Sequence, residues 1–155
     1  MAINAVCIFM GNLIGSVIFL QQQNLDGVVH VSGEIRNLSP GEHGFHIHKF
    51  GDLRNGCLNA SSHFNPFNKD HGAPEDEERH VGDFGNVIVK SDGVVTLNNE
   101  FKNVDLQGQY SVIGRSFVVH SGRDDLGKGG DEESKKTGNA GSRVDCCVIG
   151  LVESD

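Results

Sequence analysis

Three features of the sequence predict an all-β fold, an antiparallel sandwich or barrel carrying two large loops. Glycine supplies 21 of the 155 residues with only 3 prolines and no triplet period, about twice the ~7% usual in proteins. Apolar and polar residues alternate in short runs, as half-buried strands require. Two polar stretches, 49–82 and 121–144, separate those runs and carry Gly, Asp and Asn turn residues. Structureless loops beyond ~12–15 residues are uncommon and tend to be functional, so both stretches are expected to be ordered.

The elements follow in order. Residues 2–10 and 15–22 read as two strands. No Lys or Arg precedes Arg36, so this apolar start lacks the positive region of a signal peptide. Asn4, Gly11, Asn12, Gly15 and Ser16 break it, which excludes a membrane span. A cytoplasmic protein is expected. Val29, Val31, Gly33 and Ile35 alternate with His30, Ser32, Glu34 and Arg36. Phe45 and Ile47 alternate with Gly44, His46 and His48. Val87 and Val89 precede a turn at Ser91-Asp92-Gly93, and Val95 and Leu97 follow it. Phe117 and Val119 alternate with Ser116, Val118 and His120, and a last apolar run covers Cys146 to Val152. Only Asp131 to Lys136 suggests a short helical turn.

A chain of 155 residues has the size of a single domain, 1–155, with a substantial core. Charged residues at 22% against 37% hydrophobic exclude a disordered chain. The net charge of −8 argues against nucleic-acid or acidic-membrane partners, which need clustered Lys and Arg. Four cysteines are too few for a disulfide scaffold, and Cys7 reads as a buried small hydrophobe. The sequons at Asn37-Leu38-Ser39 and Asn59-Ala60-Ser61 read as chance matches.

Eight histidines are the most informative count. His46 and His48 lie two apart on a strand and therefore share one face, opposite Phe45 and Ile47. His120 repeats this arrangement and opens the second long stretch. His63, His71 and His80 lie in the first, with Asp83 three residues after His80. Neutral imidazoles suit zinc and copper, and a carboxylate can complete a tetrahedral zinc site. The strands thus offer three His to one metal, and the loop three His and an Asp to another. His30 reads as a surface residue and His43 as a structural hydrogen-bonding one. Spacing alone fixes neither the metal nor the chemistry.

The segments Gly44-Phe45-His46-Ile47-His48 and Gly138-Asn139-Ala140-Gly141-Ser142-Arg143 resemble the two signature stretches of copper/zinc superoxide dismutases. Further blocks agree in order: His63-Phe64-Asn65-Pro66, Asp76 through Asp83, Val119-His120, and Asp124-Asp125-Leu126-Gly127. The resemblance runs from about residue 4 to residue 152 with no large insertion. It implies a Greek-key, flattened eight-stranded barrel that dismutates superoxide to dioxygen and hydrogen peroxide, with one copper and one zinc per subunit. By the same resemblance, His46, His48, His63 and His120 hold copper. His63, His71, His80 and Asp83 hold zinc, with His63 bridging. Asp124 links a copper His to a zinc His. His63 handles the proton and Arg143 docks the anion, while Lys136, Glu132 and Glu133 join Arg143 in shaping a steering field. The resemblance also implies a Cys57–Cys146 disulfide, a homodimer touching at Phe50, Gly51, Ile113, Gly114, Val148 and Leu151, and loading by a copper chaperone.

Several positions depart from the family. Cys147 stands where Gly is usual, so either neighbouring thiol is a partner for Cys57, with strand register favouring Cys146. Ser61 and Ser62 replace a Gly-containing turn. Ser121-Gly122-Arg123 differs after His120, where Arg123 takes the place of a usual Lys. The opening hairpin at Gly11–Gly15 is atypical, with Leu13 and Ile14 expected to be exposed. Two other readings are a non-catalytic metal-binding or copper-delivery protein on the same fold, and a copper-only dismutase. The first loses ligands or the arginine and carries an extra domain; the second lacks the zinc loop. Neither pattern matches His71, His80, Asp83 and Arg143 as they stand here.

Overall fold

A computed structural model describes residues 1–153; the last two residues of the 1–155 domain lie outside the described residues. The strands are β1 (Ile3–Ile8), β2 (Val17–Gln22), β3 (Val28–Ile35), β4 (Gly41–His48), β5 (Arg54–Cys57), β6 (Asp83–Val89), β7 (Val95–Lys102), β8 (Ser116–His120), β9 (Arg143–Val148) and β10 (Gly150–Val152). Among the described residues the one α-helix, α1 (Ser134–Thr137), falls at the end of the predicted helical turn, and a single 3-10 turn spans Leu58–Ala60.

Two antiparallel sheets face each other, with strand orders β10-β1-β2-β3-β7 and β6-β4-β8-β9. The chain crosses from β3 to β4 and returns from β6 to β7, while β3 pairs with β7 and β4 with β6. That connectivity is the expected Greek key. The strand count differs from eight for two reasons. Short β5 lies in the first long loop outside both sheets. The last apolar run bends at Ile149, so β9 pairs with β8 and β10 pairs with β1. One run of chain thereby joins the two sheets.

Alternation places the core. Val29, Val31 and Ile35 from β3, Phe45 and Ile47 from β4, and Phe117 and Val119 from β8 are all buried. Phe45 stacks on Phe117 with ring centroids 4.7 Å apart, and Phe84 meets Phe45 edge-on at 6.0 Å. Offset and edge-to-face pairs of this kind are favoured by the ring quadrupole. These contacts hold β4 and β8 rigidly, and the histidines on their other face inherit that rigidity.

Two expectations require correction. Leu13 is fully buried, although Ile14 is exposed as expected. The Asp145 carboxylate is responsible, since its Oδ2 accepts from Leu13 N at 2.9 Å and Gly11 N at 3.2 Å and folds the turn inward. Cys7 is not a free core thiol. It is bonded to Cys147, while Cys57 pairs with Cys146. Adjacent strand residues face opposite sides, so each of the vicinal cysteines reaches a different partner.

Gly82 shows how tightly the first long loop sits on β4. Ile47 N donates to Gly82 O at 2.9 Å, and Gly82 N donates to Phe64 O at 3.1 Å. A Cβ at position 82 would collide with the Ile47 carbonyl oxygen. Backbone surrounds the position and cannot yield cheaply. Gly82→Ala is therefore expected to destabilise the chain by about 1–3 kcal/mol, the usual cost of overpacking. A chemical denaturation midpoint equal to that of the parent would contradict this packing argument.

Candidate metal centre

Six imidazoles and two carboxylates converge beneath the two long loops. His46 and His48 project from β4 and His120 from β8, on the face opposite the aromatic core. The first loop brings His63, which bridges to His48 as an isolated β-pair, together with His71 and His80. Asp83 opens β6. His63 lies centrally, with ring centroids 4.0 Å from His46, 4.9 Å from His48, 5.1 Å from His71 and 5.2 Å from His80.

Hydrogen bonds decide which nitrogen of each ring stays available. His46 Nε2 and His71 Nε2 donate to the two oxygens of Asp124, each at 2.7 Å. His48 Nδ1 donates to Ser61 O at 2.7 Å, and His120 Nδ1 to Gly141 O at 3.1 Å. That leaves His46 Nδ1, His48 Nε2 and His120 Nε2 free, and the last two lie 3.2 Å apart. One ligand atom from each of His46, His48, His63 and His120 falls within 4.8 Å of the others.

A second focus lies on the far side of His63. Asp83 Oδ1 is 2.9 Å from His63 Nδ1, 2.9 Å from His71 Nδ1 and 3.3 Å from His80 Nδ1. His46 also comes within 4.8 Å of His63, His71 and Asp83. Its Nε2 is committed to Asp124, however, whereas His80 Nδ1 points at the carboxylate. His63, His71 and His80 thus surround the Asp83 carboxylate, with His46 at the edge of the same focus.

His46 Nδ1, His63 Nε2 and His71 Nδ1 are buried without a well-formed hydrogen bond, His71 Nδ1 meeting only the Asp83 carboxylate at 2.9 Å. Unpaired buried polar atoms are costly and rare. These three point at the two foci, so cations on both sides of His63 fit the donor set. All donors are imidazole nitrogen or carboxylate oxygen, the ligand types that zinc and copper accept.

The electrostatics agree. Burial pulls the pKa values of His46 and His48 well below the ordinary 6.5, with neighbouring imidazoles adding to the effect. Burial likewise lowers His63, and lowers His120 to about 4. Burial also acts to lower His71, but its hydrogen bond to Asp124 and the adjacent Asp83 carboxylate outweigh it and raise the value to about 9. For Asp83, burial favours the neutral acid, yet the three imidazoles packed against it, His63, His71 and His80, hold it well below the carboxylate range. Neutral rings thus cluster at the first focus, and the second demands positive charge.

Several supporting residues escaped the sequence reading. Asn86 grips Asp124 from both sides, donating to its carbonyl at 2.9 Å and accepting from its N–H at 2.7 Å. A Cβ at Gly138 would strike Asp124 and His71. The buried Arg79 guanidinium ties His80, Val81 and Pro74 to Lys102 through their carbonyls. Ser61, already marked in the sequence as standing in a usually Gly-containing turn, takes φ +67°, a backbone conformation that favours glycine. Its carbonyl accepts from both His48 and Arg143.

A cleft of about 390 Å³ opens onto the first focus, lined by His48, His63, His120, Glu133, Thr137 and Arg143 among others. Arg143 also donates to Cys57 O at 2.7 Å. Glu132 and Lys136 are exposed and lie outside the cleft lining. Arg123 does not reach the cleft and pairs with Glu42 at 2.9 Å. His43 is structural, held between His120 O and Ser39 O at 2.8 Å each.

The family model for copper/zinc superoxide dismutase matches residues 13–149. The chain belongs to the copper/zinc superoxide dismutase family. It is 52% identical over 154 residues to superoxide dismutase [Cu-Zn] 3 of Arabidopsis thaliana, covering 98% of this chain and 93% of the relative. Superoxide dismutase [Cu-Zn] 2 of Mesembryanthemum crystallinum is also 52% identical over 154 residues, covering 98% and 97%. Among the described residues, no helix is long and apolar enough to cross a membrane.

Two outcomes follow from this geometry. Asp124→Asn keeps the size of the side chain but cannot accept equally from both imidazoles. Zinc affinity is expected to fall about 10–100-fold, as when partners of metal-bound histidines are lost; competition with a chelator would expose an unchanged affinity. In the metal-free chain, an unfolded His120 takes up a proton near pH 6.5, whereas the folded one resists until about 4. Stability must therefore fall as pH falls through that window. The raised value of His71 acts between about 9 and 6.5 and does not oppose the loss below 6.5. A metal-free melting temperature no lower at pH 4.5 than at pH 6.5 would contradict these assignments.

Proposed function

We propose that this chain dismutates superoxide to dioxygen and hydrogen peroxide, with copper at the His46, His48, His63, His120 focus and zinc at the His63, His71, His80, Asp83 focus. The observation carrying this reading is that two ligand foci share His63, one opening on a cleft and the other closed by Asp83. Copper bound there supplies the alternating one-electron exchange, while zinc holds the loop without changing oxidation state. Two superoxide anions and two protons yield one dioxygen and one hydrogen peroxide.

The protein's own groups prepare this exchange. Arg143 projects into the cleft, anchored through the carbonyls of Cys57 and Ser61, and offers an anion its positive charge. An anion-binding guanidinium within a chain of net charge −8 focuses the local field where it matters; such focusing raises on-rates by about 10–10³-fold, superoxide dismutase being a known case. His63 lines the cleft, and its unpaired Nε2 is where a proton is held and passed to the reduced substrate. His63 Nδ1 remains with Asp83, which keeps the ring oriented. Glu133, at the cleft edge beside Thr137, limits access to competing anions. Lys136 and Glu132 act from outside the lining as long-range charges. No feature of the described residues favours the non-catalytic reading.

The same proposal includes a homodimer. Phe50, Val148 and Leu151 are exposed apolar residues, and Gly51 packs against Gly114 so closely that a side chain would collide. The proposal also takes in a single 1–155 domain, which the family match over residues 13–149 supports, with loading by a copper chaperone and action in the cytoplasm.

A superoxide-consumption assay tests the reading. His46→Ala is expected to abolish activity in a chain that remains folded, and retained dismutation would overturn the copper assignment. Activity of the parent is expected to fall as ionic strength rises, because a Debye length of about 8–10 Å near physiological salt shrinks further. A flat salt profile would remove steering from the account. Sedimentation at micromolar protein should give about twice the 16.7 kDa chain mass, and a stable single-chain species would overturn the dimer.

A further inference from the structure

The Cys7–Cys147 bond crosses the core. Cys7 lies on β1 in one sheet and Cys147 on β9 in the other, and both side chains are closed to solvent. The bond sits where the chain changes sheets. β9 pairs with β8, Ile149 turns, and β10 pairs with β1 with Gly150 opposite Val6, the neighbour of Cys7. The adjacent Cys146 faces away and holds Cys57, which is partly exposed in the first long loop. One bond therefore ties sheet to sheet, and the other ties a loop to a sheet.

We propose that Cys7–Cys147 is a covalent seam that closes the barrel on its own, so that the chain stays folded when Cys57–Cys146 is reduced. In forming it, two S–H bonds break and one S–S bond forms. The two protons and two electrons reduce one hydrogen peroxide, released by copies already folded, to two waters, and this source of oxidant rests on the dismutation proposed above. The seam itself does not. Both sulfurs are sheltered in the folded chain, so oxidation precedes the packing of β9. Thiol exchange needs access to a sulfur, which Cys57 offers and Cys7 and Cys147 do not. Graded reduction accordingly opens the loop bond first.

Two experiments on the full, metal-loaded chain test the seam. Denaturation in iodoacetamide without reductant, followed by intact mass, is expected to add no carbamidomethyl group. Two groups mapping to Cys7 and Cys147 would overturn the proposal. The Cys57→Ala/Cys146→Ala variant is expected to fold and melt cooperatively. Strong reductant should then lower its melting temperature by about 5–15 °C, the range a disulfide gives in a domain of this size. That reductant shift should vanish when Cys7→Ala is added, which separates it from effects on the metal. An unfolded double variant, an unchanged melting temperature, or an equal shift in the triple variant would each overturn the seam.

Discussion

Three buried imidazole nitrogens without a well-formed hydrogen bond, aimed at two points either side of His63, are the constraint around which the rest of this chain is arranged. A buried polar atom with nothing to bind is destabilising, so an arrangement of this kind persists only when other contacts hold it and a cation can complete it. The holding contacts are specific. Asp124 accepts from one histidine of each focus, and Asn86 fixes Asp124 in turn. Each ring is thereby locked in the tautomer that presents its free nitrogen inward.

The sandwich supplies the rigidity that this arrangement needs. Phe45 and Phe117 stack on one face of β4 and β8, and the same strands carry His46, His48 and His120 on the other. The two long loops then close over those rings. Their closure depends on backbone carbonyls as much as on side chains. Ser61 O serves His48 and Arg143 together, and Arg79 secures the loop around His80 through four carbonyl oxygens. Loop order, cleft shape and imidazole orientation are thus one coupled system.

Much of this was legible from local pattern. Period-two alternation placed His46 and His48 opposite Phe45 and Ile47, and motif order singled out Asp83, Asp124 and Arg143, which the fold brings beside the histidines. What escaped depends on contacts between distant parts of the chain. Leu13 looked exposed because its burial is enforced by Asp145, 132 residues away. Cys7 looked like a free core thiol because its partner lies 140 residues on, in the opposite sheet. Asn86 sits among strand residues, and no local signal marks its grip on Asp124. The eight runs of the barrel were legible, but the bend at Ile149 was not, because a change of sheet leaves no break in the apolar run.

Metal content tests the central claim most directly. Elemental analysis of the purified chain, after complete reloading and removal of loosely bound ions, is expected to return one copper and one zinc per chain. One metal alone, or none, would contradict the view that His63 separates two completed sites.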